Sequence, residues 1–477
     1  MTLHRTGSPA SRLAQLSLLA CASLSLACPA PGDDTADTGD STGADSGGSS
    51  SGGIVTDSGE IPDGCEAPTG PGTDVTAAID TDQTWTAEGS PYRVPANVYL
   101  TATLTLEACT VVQLASEVRI FVGNEPAPGA IVARGERLGG VLRPVRFEAL
   151  DPSAPWGTLE VDTTGMLDAE HTIFADGGGG SALGMVTAWG VDPEGSRTDL
   201  VRMVDVQLDG SAGVGVNLQR RAAFTDDSAD VAIEGSGSYP VWIEAGVVST
   251  LPHGLTVADN GDDVVYIDPF TSVDDDTFPD RGVPLRLGEV MYLGTPDGGG
   301  LSTLTIEPGV ELQFAVGAGS GIMIGLDDMN LGQLVAQGTA DAPIIMRGAA
   351  PDAPPASWMG LYFRYAPSSG HVMSYVTIAD AGAESGAQGF GCGPGDNNAS
   401  ILLLTENALT PFLDHVTVEN AGGDTQLLLG WSDEADPSGV AQSFAEGNSF
   451  ADSPSCRVSL PRDTTNGCPG DEAPDCL

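Results

Sequence analysis

An internal duplication constrains the fold of this 477-residue chain more than any other feature. Residues 104–114 have the sequence LTLEACTVVQL, and residues 304–314 have the sequence LTIEPGVELQF. The match continues in the same order, with small gaps, and the two copies together cover most of residues 74–450. Long-period repeats of this kind are typical of solenoids, in which each unit stacks on its neighbour and buries a shared core.

Each copy consists of short strands. Leu304, Ile306, Leu312 and Phe314 alternate with polar residues around the turn Glu307-Pro308-Gly309. Further short apolar segments follow, most of them bounded by Gly, Pro, Asn or Asp, as strands usually are. Beyond the N-terminal segment, the sequence has no convincing long run with the i, i+3, i+4, i+7 spacing of an amphipathic helix. Because two-residue hairpin signals are also scarce, we predict an all-β body whose strands stack in parallel.

The second copy resembles a known protein family. Residues 304–314, GQLVAQGTADAPI at 332–344 and SYVTI at 374–378 are similar to a signature of bacterial secreted right-handed parallel β-helix proteins, the pectate-lyase-like solenoids. The first copy departs from it at Ala108-Cys109, where the pattern has Pro-Gly. The resemblance implies a right-handed parallel β-helix built from two duplicated units, outside the cell. It implies no single activity, since a fold does not fix a function.

Residues 1–28 have the pattern of an export signal. Two arginines precede an apolar run that ends at Ala27 and is too short to span a membrane. Cys28 follows, in a sequence similar to the lipobox of bacterial lipoproteins, whose cysteine carries the lipid. Cys21 is the alternative lipidation site, and an ordinary signal peptide is the alternative interpretation. We predict a lipoprotein anchored in the cell envelope of a Gram-negative bacterium, in the outer membrane or at the cell surface.

The amino-acid composition predicts the boundaries of the segments that follow the signal. The segment 29–60 is rich in Asp, Gly, Ser and Thr, which cannot bury enough apolar surface to fold, and is predicted to be a disordered tether. We place the first β-helix unit at 61–260 and the second at 261–430. A cysteine-containing cap at 431–477 is predicted to cover the last coil, because an exposed solenoid end would promote aggregation.

Six cysteines lie beyond the signal, and an even number in an exported chain predicts disulfides. We expect Cys65 to pair with Cys109. The sequence has no Cys-x-x-Cys spacing that would favour a metal site. The other four are expected to close the C-terminal region: Cys392, Cys456, Cys468 and Cys476.

The formal net charge of −48, from 66 acidic and 18 basic side chains, excludes several function classes. Nucleic-acid binding needs a cationic face that this chain lacks. Every basic residue is Arg, so Schiff-base and P-loop lysines are excluded as well. An anionic polysaccharide would be repelled, whereas a neutral glycan could stack on the six tryptophans.

Acidic clusters are the candidate metal ligands, because carboxylates on turns can bind Ca²⁺. None of them completes an EF-hand or a nonapeptide calcium repeat, and no other cofactor is predicted. His171, His253 and His415 precede similar strands and are expected to fill one recurring structural position. The candidate calcium ligands are Asp259, Asp262, Asp263, Asp274, Asp275 and Asp276.

Complete catalytic motifs such as G-x-S-x-G or H-E-x-x-H do not occur. Arg220-Arg221, near Asp226 and Asp227, is the only basic doublet after the signal. We predict an exported, lipid-anchored surface protein with a non-enzymatic recognition, adhesion or envelope-structural role. Its partners would be the membrane, through the lipid, and an extracellular glycan or surface protein. The alternative is a polysaccharide lyase or glycoside hydrolase that acts on an extracellular glycan.

Overall fold

The fold is all-β and its sheets are almost entirely parallel, as predicted. All described residues after the N-terminal region belong to one compact unit. The computed structural model describes residues 64–191, 197–269, 275–294, 299–316, 319–383, 398–405, 408–431, 437–451, 453, 456–461, 464–465, 468–469 and 475–477.

Two large parallel sheets contain most strands of the first copy. Sheet 1 has twelve strands: Thr73–Asp74, Gln83–Trp85, Tyr92–Val94, Thr103–Glu107, Val111–Leu114, Gly129–Arg134, Val145–Ala149, Gly165–Ala175, Thr198–Asp209, Ala222–Phe224, Ala229–Glu234 and Thr256–Ala258. Sheet 2 has thirteen: Val98–Leu100, Ile120–Val122, Leu159–Val161, Gly184–Trp189, Val214–Gln219, Val241–Glu244, Val265–Asp268, Leu285–Leu287, Glu311–Phe314, Ile344–Gly348, Val376–Ala379, Thr417–Glu419 and Ser449–Phe450.

Two smaller parallel sheets lie in the second half of the chain. Sheet 3 contains Asp276–Phe278, Gly300–Ile306, Asn330–Gln337, Val372–Ser374 and Leu413–Asp414. Sheet 4 contains Val290–Leu293, Gly321–Ile324, Leu361–Phe363, Ala399–Thr405, Thr425–Trp431 and Cys456–Val458. The other elements are two antiparallel pairs, Glu136–Leu138 with Val141–Arg143 and Thr464–Thr465 with Cys468–Pro469, the 3₁₀ turns Ala87–Gly89 and Val248–Thr250, and the helix Pro437–Ala445.

Alternation along each strand produces the core. In Gly129–Arg134 every second residue is buried, so that Ile131 and Ala133 point inward. Ile131 lies beside Leu104 on one neighbouring strand and beside Leu167 on the other, and all three are fully buried. Each such aliphatic side chain contributes about 1.5–3 kcal/mol through burial. Parallel strands that stack similar side chains in this way are compatible with a solenoid.

Left-handed residues bend the long strands. Gly165–Ala175 and Thr198–Asp209 each pair with two neighbouring strands on either side of a bend at His171 and Asp205, whose φ angles are both 50°. His415, with φ 55°, occupies the same kind of bend between a strand of sheet 3 and one of sheet 2. His253 lies just before the left-handed Gly254. The three histidines therefore lie at or beside corners of the coils, in agreement with the structural role expected of them.

A disulfide reinforces one corner of the first copy. Cys65 and Cys109 are bonded to each other, as predicted. Cys109 is left-handed, with φ 65°, and its counterpart in the second copy is the left-handed Gly309, with φ 90°. Glycine adopts this conformation without steric cost, whereas cysteine does not. The disulfide therefore stands where the first copy lacks the glycine of the second.

The two copies occupy different sheets. Val111–Leu114 belongs to sheet 1, where it pairs with Tyr92–Val94 and Val145–Ala149. Its sequence counterpart Glu311–Phe314 belongs to sheet 2, where it pairs with Leu285–Leu287 and Ile344–Gly348. The repeat in the sequence is therefore not a repeat of sheet position.

The change of sheet occurs between residues 256 and 293. Sheet 1 ends at Thr256–Ala258, and sheet 4 begins at Val290–Leu293. Between them, Val265–Asp268 pairs directly with Leu285–Leu287, so that sheet 2 continues without a break. Sheet 2 thus crosses the predicted boundary between residues 260 and 261, and one hydrophobic core extends from Ile79 to Val458. The boundaries of the predicted units stay predictions.

Candidate ligand-binding face

The outer face of sheet 2 carries a straight row of side chains, one from each successive strand. Because the strands pair in parallel without slippage along this row, the residues lie side by side across the sheet. We call the row the aromatic column, since aromatic rings occupy both of its ends. Its members in order are Tyr99, Phe121, Glu160, Thr187, Asn217, Trp242 and Tyr266.

The first ring pair, Tyr99 and Phe121, forms one end of the aromatic column. The two rings are stacked, with their centroids 4.8 Å apart and an interplanar angle of 14°. The Tyr99 residue remains 50% exposed. A large apolar ring face left open to solvent is more typical of a binding surface than of a core.

The second ring cluster, Tyr239, Trp242 and Tyr266, lies at the other end. The centroid of Trp242 is 4.1 Å from that of Tyr266, and the centroid of Tyr239 is 4.9 Å from that of Tyr266. All three residues are only partly buried. Trp242 Nε1 donates to Asp268 Oδ2 at 3.4 Å, which orients the indole ring.

Polar and charged groups line a groove beside the first ring pair. Glu160 accepts a hydrogen bond from Trp189 Nε1 at 3.1 Å and lies 3.4 Å from Arg119 Nη1. The guanidinium of Arg220 lies 5.5 Å from the centre of the Trp189 ring, within range of a cation–π interaction. The groove has a volume of about 300 Å³, and Asp162 and Asn124 also line it. It combines apolar ring faces with carboxylate and amide oxygens.

Glu244 supports this groove from behind. Its carboxylate accepts hydrogen bonds from the backbone N–H of Arg220 at 2.6 Å and of Arg221 at 3.1 Å. Both arginines are left-handed, with φ angles of 54° and 58°. Glu244 is buried, and the loss of solvation raises the pKa of its carboxyl group, in part offset by these two hydrogen bonds. Glu244 thus stabilises the turn that holds Arg220 above Trp189.

The middle of the aromatic column is closed rather than open. Thr187 and Asn217 are buried. Gln219 is partly buried and donates its amide to Asn217 Oδ1 at 2.7 Å. Gln219 lies beside Trp189 in the sheet register, so these two side chains form the surface between the two aromatic ends.

The acidic residues proposed from the sequence as calcium ligands are dispersed. Asp262 forms an ion pair with Arg286, and Asp263 accepts from the Asn260 side chain at 2.7 Å. Asp275 accepts from the backbone N–H of Thr303 at 2.6 Å. Asp259 is a left-handed turn residue, with φ 55°, and Asp274 lies outside the described residues. In the described part of the chain, no three His, Cys, Asp or Glu side chains are grouped as a metal site would require.

Asp276, the last of the six acids predicted as calcium ligands, lies in an environment that gives it a structural role. It is buried and accepts hydrogen bonds from the backbone N–H groups of Gly246, Val248, Ser249 and Thr277, at 2.8–3.3 Å. Burial raises the pKa of its carboxyl group despite these bonds. The carboxylate caps the 3₁₀ turn Val248–Thr250, within the region where sheet 1 ends.

The remaining cysteines are distributed as follows. Cys21, Cys28 and Cys392 lie outside the described residues. Cys456 is buried in sheet 4, and Cys476 is exposed. Cys468 belongs to the strand Cys468–Pro469. The predicted C-terminal pairings therefore stay predictions.

The basic doublet is separated from the acids that follow it in sequence. Asp226 forms an ion pair with Arg197, and Asp227 forms one with Arg202, whereas Arg220 lies over Trp189. Arg202 also contacts Asp168, which is shared with Arg134. These pairings form a network on sheet 1, so Asp226 and Asp227 do not contribute to the groove.

Two tryptophans that occupy equivalent positions in the two copies are structural. Trp156 and Trp358 are fully buried. Each donates its ring N–H to a backbone carbonyl at 2.7 Å, that of Ala175 and that of Ala379 respectively. Trp85 is buried in the core as well, and the burial of Trp431 is outside the described features, so Trp189 and Trp242 remain as surface candidates.

Sequence analysis did not identify Tyr99, Phe121, Tyr266 or Glu160 as site residues. A local signal for the three rings and for Trp242 was present, because each stands between two aliphatic residues in a short strand. Such a ring must point away from the core on which its neighbours pack. The alignment of the four rings depends on pairing between distant strands, which local sequence does not specify.

No family model, characterised protein or solved structure matches the chain.

Proposed function

We propose that the protein is a lipid-anchored surface protein whose body, a right-handed parallel β-helix, binds neutral extracellular glycans without cleaving them. The binding site is the outer face of sheet 2 along the aromatic column. The observation that carries this proposal is the alignment of open aromatic rings with carboxylate and amide groups on one continuous parallel sheet.

The chemistry of the face suits an uncharged sugar. Aromatic faces pack on the apolar C–H surface of a sugar ring. Carboxylate and amide oxygens such as those of Glu160, Asp162 and Asn124 accept hydrogen bonds from hydroxyl groups. With a formal net charge of −48, the chain repels an anionic polysaccharide over its whole surface, whereas a neutral one is unaffected.

The proposed handedness and location have separate support. Almost all strand pairs are parallel; the bends at His171 and Asp205 redirect two strands within sheet 1, and the bend at His415 turns the chain from sheet 3 to sheet 2. Together with the family resemblance, this favours a closed right-handed coil.

The signal-like residues 1–28 support anchoring at Cys28, and the tether 29–60 would hold the body away from the membrane. Among the described residues, no helix is long and apolar enough to cross a membrane.

A screen of the intact, exported protein on an array of neutral and anionic glycans tests the binding function. We expect binding to neutral glycans, no binding to anionic ones, and no release of products on prolonged incubation. The screen is run with and without added Ca²⁺. Binding that requires Ca²⁺ would support the calcium site predicted from the acidic clusters. Failure of every neutral glycan to bind would refute the proposal.

A hydrolase is the second candidate, because Glu160 and Asp162 line the same groove. Glycoside hydrolysis uses two carboxyl groups placed on either side of the scissile bond. If products are released, E160Q and D162N should each abolish turnover while binding persists. Loss of turnover in these two variants would establish catalysis in place of simple recognition.

A further inference from the structure

The two aromatic ends of the column have the same chemistry but are well separated. Phe121 and Trp242 are four strands apart in the order of sheet 2. Since neighbouring strands lie about 4.8 Å apart, the two rings are separated by roughly 19 Å along the sheet. A single sugar ring cannot contact both, whereas an extended chain of several sugar units can.

Thr187 and Asn217 in the middle of the column are buried, so the surface between the ends consists of the partly buried Glu160, Trp189 and Gln219. Glu160 follows Phe121 in the column, and Trp189 donates to it at 3.1 Å. Gln219 lies beside Trp189, and Trp242 follows Asn217, the hydrogen-bond partner of Gln219. Side chains that can exchange hydrogen bonds with hydroxyl groups thus connect the two ends. These groups are positioned by mutual hydrogen bonds and stacking, which reduces the entropy lost when a ligand binds.

The column ends where its chemistry changes. The next residue after Tyr266 in the register is Arg286, followed by Gln313 and Arg347. The charges of Arg286 and Arg347 are compensated by Asp262 and Glu311. No further open ring extends the described face in this direction. The aromatic part of the face is therefore of limited length. This length limits how long a ligand the face can contact.

We propose that the first ring pair and the second ring cluster are two ends of one site for a linear neutral glycan, which lies across the strands and bridges Phe121 and Trp242. This inference rests on the proposed glycan-binding function and adds to it the length and direction of the ligand. A disaccharide occupies one end only. A longer chain occupies both ends, so that its second contact is intramolecular and strengthens binding without any new type of interaction.

The test measures affinity against chain length. Cello-, xylo- and manno-oligosaccharides from disaccharide to hexasaccharide are titrated into the full-length protein by calorimetry. For the series that binds, we expect affinity to rise at least about tenfold between the disaccharide and the tetrasaccharide or pentasaccharide, and then to level off. An affinity independent of length would overturn the two-ended site while leaving glycan recognition intact, whereas absence of all binding would refute the function itself.

Two variants separate the ends. F121A and W242A should each reduce the affinity for the hexasaccharide to within about threefold of the disaccharide value. The double variant F121A/W242A should abolish the binding of both the hexasaccharide and the disaccharide. Y375A is the matched control, because Tyr375 also stacks an aromatic ring, on His415 at 4.6 Å, but lies outside the column. Circular dichroism and thermal unfolding confirm that each variant is folded. If W242A alone abolishes all binding and F121A has no effect, the site has one end and the inference is wrong.

Discussion

The outer face of sheet 2 has two halves of opposite chemistry. The aromatic column presents rings that stack on one another and still leave surface open, as at the half-exposed Tyr99. Beyond Tyr266, a polar column of Arg286, Gln313 and Arg347 continues the same row of strands. Arg286 Nη2 donates to Gln313 Oε1 at 2.6 Å, and Arg347 Nε donates to Glu311 at 2.9 Å.

The difference bears on the proposed glycan site. In the polar column the hydrogen-bonding groups bond mainly to one another, so a ligand would have to displace existing partners. In the aromatic column the ring faces have no such competing bond, so a ligand that packed on them would displace only water. The change of chemistry coincides with the region in which sheet 1 ends and sheet 4 begins.

The largest expected effect is on the junction between the halves. Replacement of Asp276 by alanine leaves four backbone N–H groups without this acceptor, of which that of Val248 is buried and the other three are partly buried. A buried orphaned group costs about 1–3 kcal/mol and a partly solvated one less, so D276A should reduce the free energy of unfolding by roughly 4 kcal/mol. Denaturant unfolding measures the loss. D275A is the control, since Asp275 accepts from one N–H at an exposed position, and equal losses in both variants would contradict the capping role.

The next effect concerns the corner that differs between the two copies. The disulfide Cys65–Cys109 closes a segment of 44 residues, whereas Gly309 serves the equivalent corner of the second copy without a cross-link. The double variant C65A/C109A should lower the free energy of unfolding by about 2–4 kcal/mol through the entropy of the unfolded chain, and it keeps the left-handed strain that Cys109 already carries. C65A/C109G removes that strain and should recover about 1 kcal/mol. Identical stabilities of the two double variants would show that the backbone conformation at residue 109 is unimportant.

These corners also indicate how much could be predicted from sequence. The all-β class, the parallel stacking and the Cys65–Cys109 pairing followed from short alternating segments and from a cysteine at a turn of the repeat. The transfer of the matching strings to different sheets did not follow, because Val111–Leu114 and Glu311–Phe314 have the same local pattern. The sheet to which each of these two strings belongs depends on the direct pairing of Val265–Asp268 with Leu285–Leu287. This pairing accompanies the start of a new sheet, and neither string contains a local signal for it.

The candidate site was predictable only in its components. Charge and composition led to a neutral glycan as the expected ligand and to tryptophan as the expected stacking residue, and both stay predictions. The acidic clusters drew attention because consecutive aspartates are conspicuous in a sequence, yet Asp262, Asp275 and Asp276 each have a protein partner. Glu160 belongs to no run of consecutive acids, and it is positioned by Trp189, 29 residues away along the chain, and by Arg119.

A smaller effect separates the two columns by ligand affinity. Y266A removes one ring of the second cluster and should weaken glycan binding about tenfold, a stacking energy of roughly 1.4 kcal/mol. R286A, at the next position in the register, should change the affinity less than twofold, because Arg286 is already bonded to Asp262 and Gln313. Calorimetric titration with a hexasaccharide that binds the intact protein provides the comparison. A tenfold loss in R286A would mean that the polar column belongs to the site.

The smallest effect is a dependence on pH that should occur on the aromatic side alone. Burial raises the pKa of Glu244 above its ordinary value, so the folded protein binds the Glu244 proton more tightly than the unfolded chain does. The contribution of this group to stability is then complete below the ordinary pKa of a glutamic acid and is lost as the pH rises through the elevated pKa. E244Q carries no charge and should remove this dependence, although its single amide oxygen accepts from only one of the two backbone N–H groups of Arg220 and Arg221. The difference in unfolding free energy between E244Q and the wild type should therefore shift in favour of E244Q as the pH rises from 4 toward neutrality. A difference between E244Q and the wild type that does not change between pH 4 and neutrality would contradict the buried environment of Glu244.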